Sequence, residues 1–374
     1  MSDDQTFQPN WINPPSQTIL ALLAANDIHL EEFSRISGMS HAARDAILSD
    51  NAKIDPNLGA QLSSCLGGSA IFWVNRWDKF EEDFRWRTVN NNLQEYRNWL
   101  RDLPLRDMFE FGWVQRYETR AEQAVGLLRF FQVKSLTEWL EKYQRVYQIA
   151  AFRHSQTTEP SQAALISWIQ AARNKACGID CNAWDQDMIL NAIPYIRKLT
   201  FQKDPAAFLP KIQSIFKESG VALVVVPAPK NSRVFGMATK MENGAILLAL
   251  TFRYKTDDQF WFTLFHELGH LILHSNQELF LDGPDLLETH EMQEREANEF
   301  AENALIPVEF HDELATLKRN YKSIVRFASK VGVSPGIVIG QMQNKKYIEY
   351  NQMNHLKRKY NWESLTNLTT HEMG

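Results

Sequence analysis

Two histidines four residues apart, with a glutamate between them, are the feature that most constrains this chain. The motif HELGH, from His266 to His270, lies in a largely apolar stretch spanning residues 262–273. On an α-helix, residues four apart share a face, so both imidazoles can present a ring nitrogen to one metal ion. Glu267 beside them can act as general base on an attacking water, as in zinc-dependent peptidases. The apolar flanks favour a buried catalytic helix over two histidines on a solvated surface.

A third zinc ligand is expected downstream, where residues 288–305 predict a helix rich in carboxylates. At about 100° per residue, one side of this helix carries Glu294 together with small, polar or apolar neighbours: Ala297, Asn298, Ala301 and Leu305. An acid within a buried stripe is costly unless something pairs with it, and Zn²⁺ is such a partner. Glu294 is therefore the predicted third ligand, and Asn298 is a candidate to hydrogen-bond one of the ligands.

Two other glutamates remain alternatives for the third ligand. Glu296 is predicted to point to the opposite side of the helix from Glu294. If the helix is rotated from this estimate, Glu291 or Glu296 would take the place of Glu294.

These two motifs with their flanks make the chain resemble the ImmA/IrrE family of metallo-endopeptidases. The similarity is carried by FWFTLF before the HELGH motif, by EREANEFA from Glu294 and by LIP at residues 305–307. It extends to residues 166–169, 196–200 and 334–340, and so covers roughly the last 215 residues. The resemblance implies a zincin-like protease domain that binds one Zn²⁺ per chain. It also implies a helix-turn-helix repressor as substrate, whose cleavage releases stress, phage-defence or mobile-element genes.

The oxyanion-stabilising group is left open by the sequence. His274, Tyr254 and Arg295 are the candidates, and the spacing of His274 makes it a packing or transition-state-stabilising residue rather than a ligand. Glu267 is the predicted catalytic base, which takes the proton of water and delivers it to the leaving amine.

The fold class predicted from the pattern is α+β and mostly α. Residues 221–226, 233–239 and 245–251 predict a small antiparallel sheet beside the HExxH helix. The predicted domains are a helical helix-turn-helix domain at 1–75, a helical connector at 76–158 and the metallopeptidase domain at 159–374. Residues 153–161 are the best linker candidate. The connector is also a candidate dimerisation unit, in which case the protein would form a homodimer.

The N-terminal domain resembles the Cro/repressor-type helix-turn-helix, in particular the HigA-like antitoxin form. The resemblance rests on short predicted helices at 29–37 and 41–48 around the turn Gly38-Met39-Ser40, and on the ending at residues 66–75. Only His41 and Arg44 of the predicted recognition helix could neutralise phosphates. Residues 1–75 hold eight acids and three bases, so DNA binding is expected to be weak. The domain either reads DNA through dimer symmetry or binds protein.

Residues 311–374 have the opposite charge, with ten bases and five acids. The bases Lys345, Lys346, Lys357, Arg358 and Lys359 predict either a solvated surface or a docking surface. Its partner would be a polyanion such as single-stranded DNA, or the chain's own acidic N-terminal domain.

Composition excludes several classes of protein. The chain has no apolar run of about 18 residues and no basic, apolar leader at its first residues, which predicts a cytoplasmic protein without a membrane segment. Its three cysteines are a poor disulfide framework.

Two functions remain from this pattern. The leading one is a zinc-dependent endopeptidase that cuts a specific protein, either a repressor-type regulator or its own chain. The alternative is a DNA-binding transcriptional regulator or antitoxin whose protease-like domain is a sensor or scaffold. An intact Glu267 favours catalysis, because a scaffold has no need of it.

Overall fold

A computed structural model describes residues 13–50, 52–152, 162–232, 234–241, 245–251, 256–274 and 287–360. The described residues are mostly helical with one small sheet, which agrees with the predicted α+β class. The described residues of 1–101 and 115–141 form one compact unit, and those of 102–114 and 142–374 form another. The predicted boundaries at residues 75 and 158 stay a prediction, and the linker predicted at 153–161 lies outside the described residues. None of the described helices is long and apolar enough to cross a membrane.

The first half of the chain is helical. In chain order its helices are α1 (Pro15–Ala25), α2 (Leu30–Ser37), α3 (His41–Leu48), α4 (Pro56–Leu66), α5 (Ala70–Asn91), α6 (Leu93–Asp102), α7 (Leu105–Glu110), α8 (Arg120–Phe131) and α9 (Leu136–Phe152). Polar caps set several of their starts: Ser40, Asp55 and Ser69 each accept a hydrogen bond from a backbone N–H of the helix that follows. Gly38, with φ of 70°, ends α2 in the left-handed region.

The first unit has its own apolar core under α1 to α5. Its buried residues are Ile19, Leu23, Phe33, Met39, Ile47, Ile54, Leu62, Leu66, Trp73 and Trp77. The bounds of α2 and α3 agree with the helices predicted there, but the helix-turn-helix identity and DNA binding stay predictions. Arg44 is turned inward: its guanidinium lies 2.7 Å from Asp45 and donates to Ser34 at 3.3 Å, which leaves its side chain 13% exposed. The side chain of His41 lies outside what the structure describes.

The second unit contains the sheet and the remaining helices. They are α10 (Gln162–Ala176), α11 (Gln186–Leu199), α12 (Pro205–Glu218), β1 (Val221–Val225), β2 (Gly236–Lys240), β3 (Ile246–Leu250), α13 (Asp257–Leu273), α14 (Leu287–Leu305), α15 (His311–Ala315), α16 (Tyr321–Val331) and α17 (Pro335–Asn344), with short 3-10 helices at Val308–Phe310 and Asn354–Leu356. One large apolar cluster joins the sheet, α11 to α14, α16 and α17.

The sheet is mixed, so the predicted antiparallel sheet is wrong in one pairing. The strand order is β1-β3-β2; β2 pairs antiparallel with β3, but β1 pairs parallel with β3. The prediction made the whole sheet antiparallel, whereas β3 inserts between β1 and β2 and runs parallel to β1. The burial of every residue of β1, which packs under α10 and α12, is what a covered parallel strand requires.

The first turn of α13 is held by a buried polar cluster. Asp257 is fully buried and accepts hydrogen bonds from the Ser334 hydroxyl at 2.7 Å and from the backbone N–H of Arg358 at 2.9 Å. Burial raises the pKa of the Asp257 carboxyl in spite of these donors. Asp258 lies 2.6 Å from the Lys357 ammonium, with the two side chains 8% and 13% exposed. Residues that follow α17 therefore fix where α13 begins.

The contacts of this cluster show that part of the basic C-terminal segment is not a free surface. Arg358 donates to the backbone carbonyls of Thr200 and Phe201 at 2.9 Å, and Lys345 lies 2.7 Å from Glu302. With Lys357 paired to Asp258, three of the five predicted docking cations are used within the unit. The sequence predicted these charges to lie on a surface, because it does not show which acidic side chains or backbone carbonyls they contact.

Removal of the Lys357 ammonium should destabilise the second unit. Lys357→Met leaves the buried Asp258 carboxylate without this cation, and the loss of one partner of a buried ion pair costs about 3–5 kcal/mol. Urea unfolding followed by tryptophan fluorescence measures the effect. The control is Lys359→Met, on the same segment but with an exposed side chain. Equal unfolding midpoints for the two variants would contradict the buried pair.

Candidate metal centre

Both histidines of the HELGH motif lie on α13, between the sheet and α14. The opposite side of this helix is apolar and buried, with Leu264, Phe265 and Leu268 fully inaccessible. His270 is 5% exposed and His266 is half-buried, so the pair lies at the boundary between core and solvent. This burial is what the apolar flanks of the motif predicted.

Three potential ligand atoms converge at this point. His266 Nε2 and His270 Nε2 are 3.1 Å apart, and the Glu294 carboxylate lies 3.4 Å from the first and 3.6 Å from the second. Zinc that binds tetrahedrally at about 2.0–2.2 Å would hold its ligand atoms about 3.3–3.6 Å from each other. Two neutral imidazole nitrogens that face each other also need a proton or a cation between them. Both distances from Glu294 lie in this range and the separation of the two nitrogens is slightly below it, so small side-chain shifts would let this donor set hold Zn²⁺.

Glu294 reaches the histidines because α13 and α14 pack closely. A Cβ on Gly269 would lie 3.2 Å from the backbone of Ala297 and 3.1 Å from the Phe300 ring. Ala297 and Ala301 are fully buried, as the predicted small-residue stripe requires. One premise of that prediction is wrong: the Glu294 side chain is 42% exposed. Helical angles give the direction of a side chain but not its depth, and Glu294 lies at the open edge of the stripe.

Asn298 supports His266 from the side away from the ligand atoms. Its amide oxygen lies 3.0 Å from His266 Nδ1. If it accepts the Nδ1 proton, it leaves the Nε2 lone pair directed at the site. Burial lowers the pKa of His266, but the Glu294 hydrogen bond and the charges of Glu267 and Glu294 outweigh burial and raise it. Surroundings that favour a proton on His266 also favour a metal cation there.

Glu267 follows His266 on α13 and faces the first residue of β2. The backbone of Gly236 approaches so closely that a Cβ there would lie 2.7 Å from Glu267 Oε1. Among the described strands β2 pairs only with β3, so Glu267 lies against a strand at the edge of the described sheet. The sequence did not single out Gly236, and its only signal was a glycine in the middle of the strand predicted at 233–239.

The other predicted residues lie around this centre. His274 caps α13, and its Nε2 lies 3.4 Å from Glu296. Glu296, predicted to point to the opposite side of α14 from Glu294, thus still reaches α13. Arg295 and Glu291 are exposed. Tyr254 lies outside the described residues.

Phe262 is a further neighbour that the sequence analysis did not assign. Its ring is stacked with His266, with ring centroids 6.0 Å apart. It precedes His266 by four residues, so the helical spacing that identified the ligand pair could also have identified it.

Comparison with known families gives one match. Residues 248–340 match the family model Peptidase_M78, described as an IrrE N-terminal-like domain. The matched segment runs from β3 to α17 and includes α13 and α14 with all three potential ligands. It supports the resemblance to ImmA/IrrE proteins and a peptidase-like function for this segment. No curated protein and no solved structure matches the chain.

Zinc analysis separates the two glutamates of α14 that face α13. Purified protein should carry about one zinc per chain, and Glu294→Ala should lose most of it because one of three ligands is removed. Glu296→Ala is the matched control, since its carboxylate lies against His274 and should be dispensable for the metal. Mass-spectrometric metal analysis after dialysis gives the result. If only the Glu296→Ala variant lost its zinc, the prediction of Glu294 as the third ligand would be wrong.

The contact between Asn298 and His266 predicts a smaller effect. Asn298→Ala should keep the fold but weaken zinc binding by about 10–100-fold, the usual cost of losing a partner that orients a ligating histidine. Competition with a chromogenic chelator measures the affinity. Asn298→Asp, which keeps an oxygen acceptor, should retain most of it.

Proposed function

We propose that this chain is a zinc-dependent endopeptidase that cleaves a specific protein, of the class of repressor-type regulators. The observation that carries the proposal is the convergence of His266, His270 and Glu294 beside an intact Glu267. The match of this segment to the Peptidase_M78 model supports it. The choice of a repressor as substrate rests on the resemblance to ImmA/IrrE proteins.

His266, His270 and Glu294 would hold the metal, and Asn298 would orient His266. A bound zinc ion supplies Lewis acidity that polarises the scissile carbonyl and acidifies water. Glu267 then takes a proton from the attacking water and delivers it to the amine that leaves. Glu267 follows His266 on α13 and lies against the first residue of β2, and this position suits the transfer if a peptide pairs along that strand.

A peptide substrate can bind by adding a strand to the sheet. β2 is paired on one side with β3, and among the described residues its other edge carries no strand. A peptide paired there would run past α13 next to Glu267, and main-chain hydrogen bonds would supply affinity without fixing its sequence. The identity of the substrate would then depend on side chains around the cleft.

The alternative, a DNA-binding regulator with a protease-like scaffold, has less support. Its predicted recognition helix would rely on Arg44, whose charge is already engaged by Asp45. Neutralisation of phosphates supplies most non-specific affinity for DNA. An acidic domain whose arginine is already paired is therefore expected to bind DNA weakly.

The test is a comparison of zinc-loaded wild type with Glu267→Gln. The variant should keep zinc and fold, because Glu267 is not a ligand, but its proteolysis should fall by about 10²–10⁴-fold once proton transfer is lost. Incubation with cell lysate followed by mapping of new N-termini identifies the substrate. The time course of their appearance gives the rate of cleavage. Glu299→Gln, at an exposed position of α14, is the control. Undiminished cleavage by the Glu267 variant would refute the proposed role.

A further inference from the structure

Gly236 meets the side chain of Glu267 at a distance that no other residue type could keep. A Cβ at this position would lie 2.7 Å from Glu267 Oε1, 2.8 Å from Glu267 Cγ and 2.9 Å from Thr263 Cγ2. All three are below the separations at which non-bonded carbon atoms attract, about 3.5–4.0 Å. The backbone gives no other reason for glycine, since Gly236 does not have a positive φ. Space alone requires glycine here.

An added methyl group would have to displace Glu267 rather than the strand. Oε1 could swing aside at little cost because it ends a flexible side chain, but Cγ is fixed by χ1. Helix α13 leaves few alternative χ1 rotamers, and Thr263 is β-branched and stiff. On the other side, Gly236 is held in register with Leu250, and the carbonyl of the preceding Phe235 accepts a hydrogen bond from Thr251 N–H at 2.9 Å. The paired strand is the more constrained partner.

We propose that Gly236 is a positioning residue that sets the rotamer of the Glu267 carboxylate. The missing side chain at Gly236 leaves the space that Oε1 and Cγ of Glu267 occupy, and the backbone of β2 borders that space. The catalytic consequence rests on the proposed function, since it requires Glu267 to be the general base. The packing of Gly236 against Glu267 does not rest on it.

A stability cycle tests the packing without any assay of activity. Urea midpoints are measured for wild type, Gly236→Ala, Glu267→Ala and the double variant. Gly236→Ala should lower the midpoint in the wild-type background and clearly less in the Glu267→Ala background, where Cγ and Oε1 are gone. Adding Thr263→Ser, which removes the third contact, should relieve the rest. Gly178→Ala is the matched control, because a Cβ there meets nothing within 4 Å and its φ is not positive.

Kinetics on the zinc-loaded full chain test the consequence. Gly236→Ala should keep its zinc and its KM while kcat falls by about 10–100-fold, as expected when a reacting group is misplaced by about an ångström. Gly178→Ala should leave both constants unchanged. An unchanged kcat for Gly236→Ala, or a loss of stability that is equal in both backgrounds, would overturn the proposal. A wild-type chain with no peptidase activity would instead overturn the proposed function, and the stability cycle would still decide the packing.

Discussion

The close approach of α13 and α14 at Gly269 is the contact on which the candidate metal centre depends. The three potential ligands come from two helices, and a glutamate side chain reaches the histidines only if the helix axes are near each other. Gly269 over Ala297 permits that distance, with Phe300 closing the seam beside it. A larger residue at position 269 would push α14 outward by a few tenths of an ångström and carry Glu294 with it. The convergence of the three potential ligands thus depends on small residues that are not themselves candidate ligands.

Sequence reasoning found the parts of the site that helical geometry controls. His266 and His270 follow from the four-residue spacing, and Glu294 and Asn298 follow from angles around a second helix. Both helices lie where they were predicted. The same reasoning placed Glu294 too deep, because an angle carries no information about distance from the surface. It also missed Gly236, since no local pattern records which strand passes over which side chain.

Pairing between distant segments was the other limit. The three strands were predicted, but as an antiparallel sheet, whereas β3 lies between the other two and runs parallel to β1. Counts of charged residues also gave no information on distant partners. Lys357 and Arg358 looked like an exposed basic surface, but they meet a buried aspartate and two backbone carbonyls. In each case the local element could be predicted from the sequence, but its distant partner could not. Arg358 and Thr200, for example, are more than a hundred residues apart.

The anchor of α13 also ties the order of synthesis to the completion of the site. The hydrogen bond from Arg358 to Asp257 spans 101 residues of sequence. A chain emerging from the ribosome therefore presents His266, His270 and Glu294 well before the residues that fix the start of α13. Domains fold as units when their segments become available, so the first turn of α13 acquires these buried partners only after Lys357 and Arg358 have been synthesised. A nascent chain that ends before these residues would carry the potential ligands without a firmly seated α13.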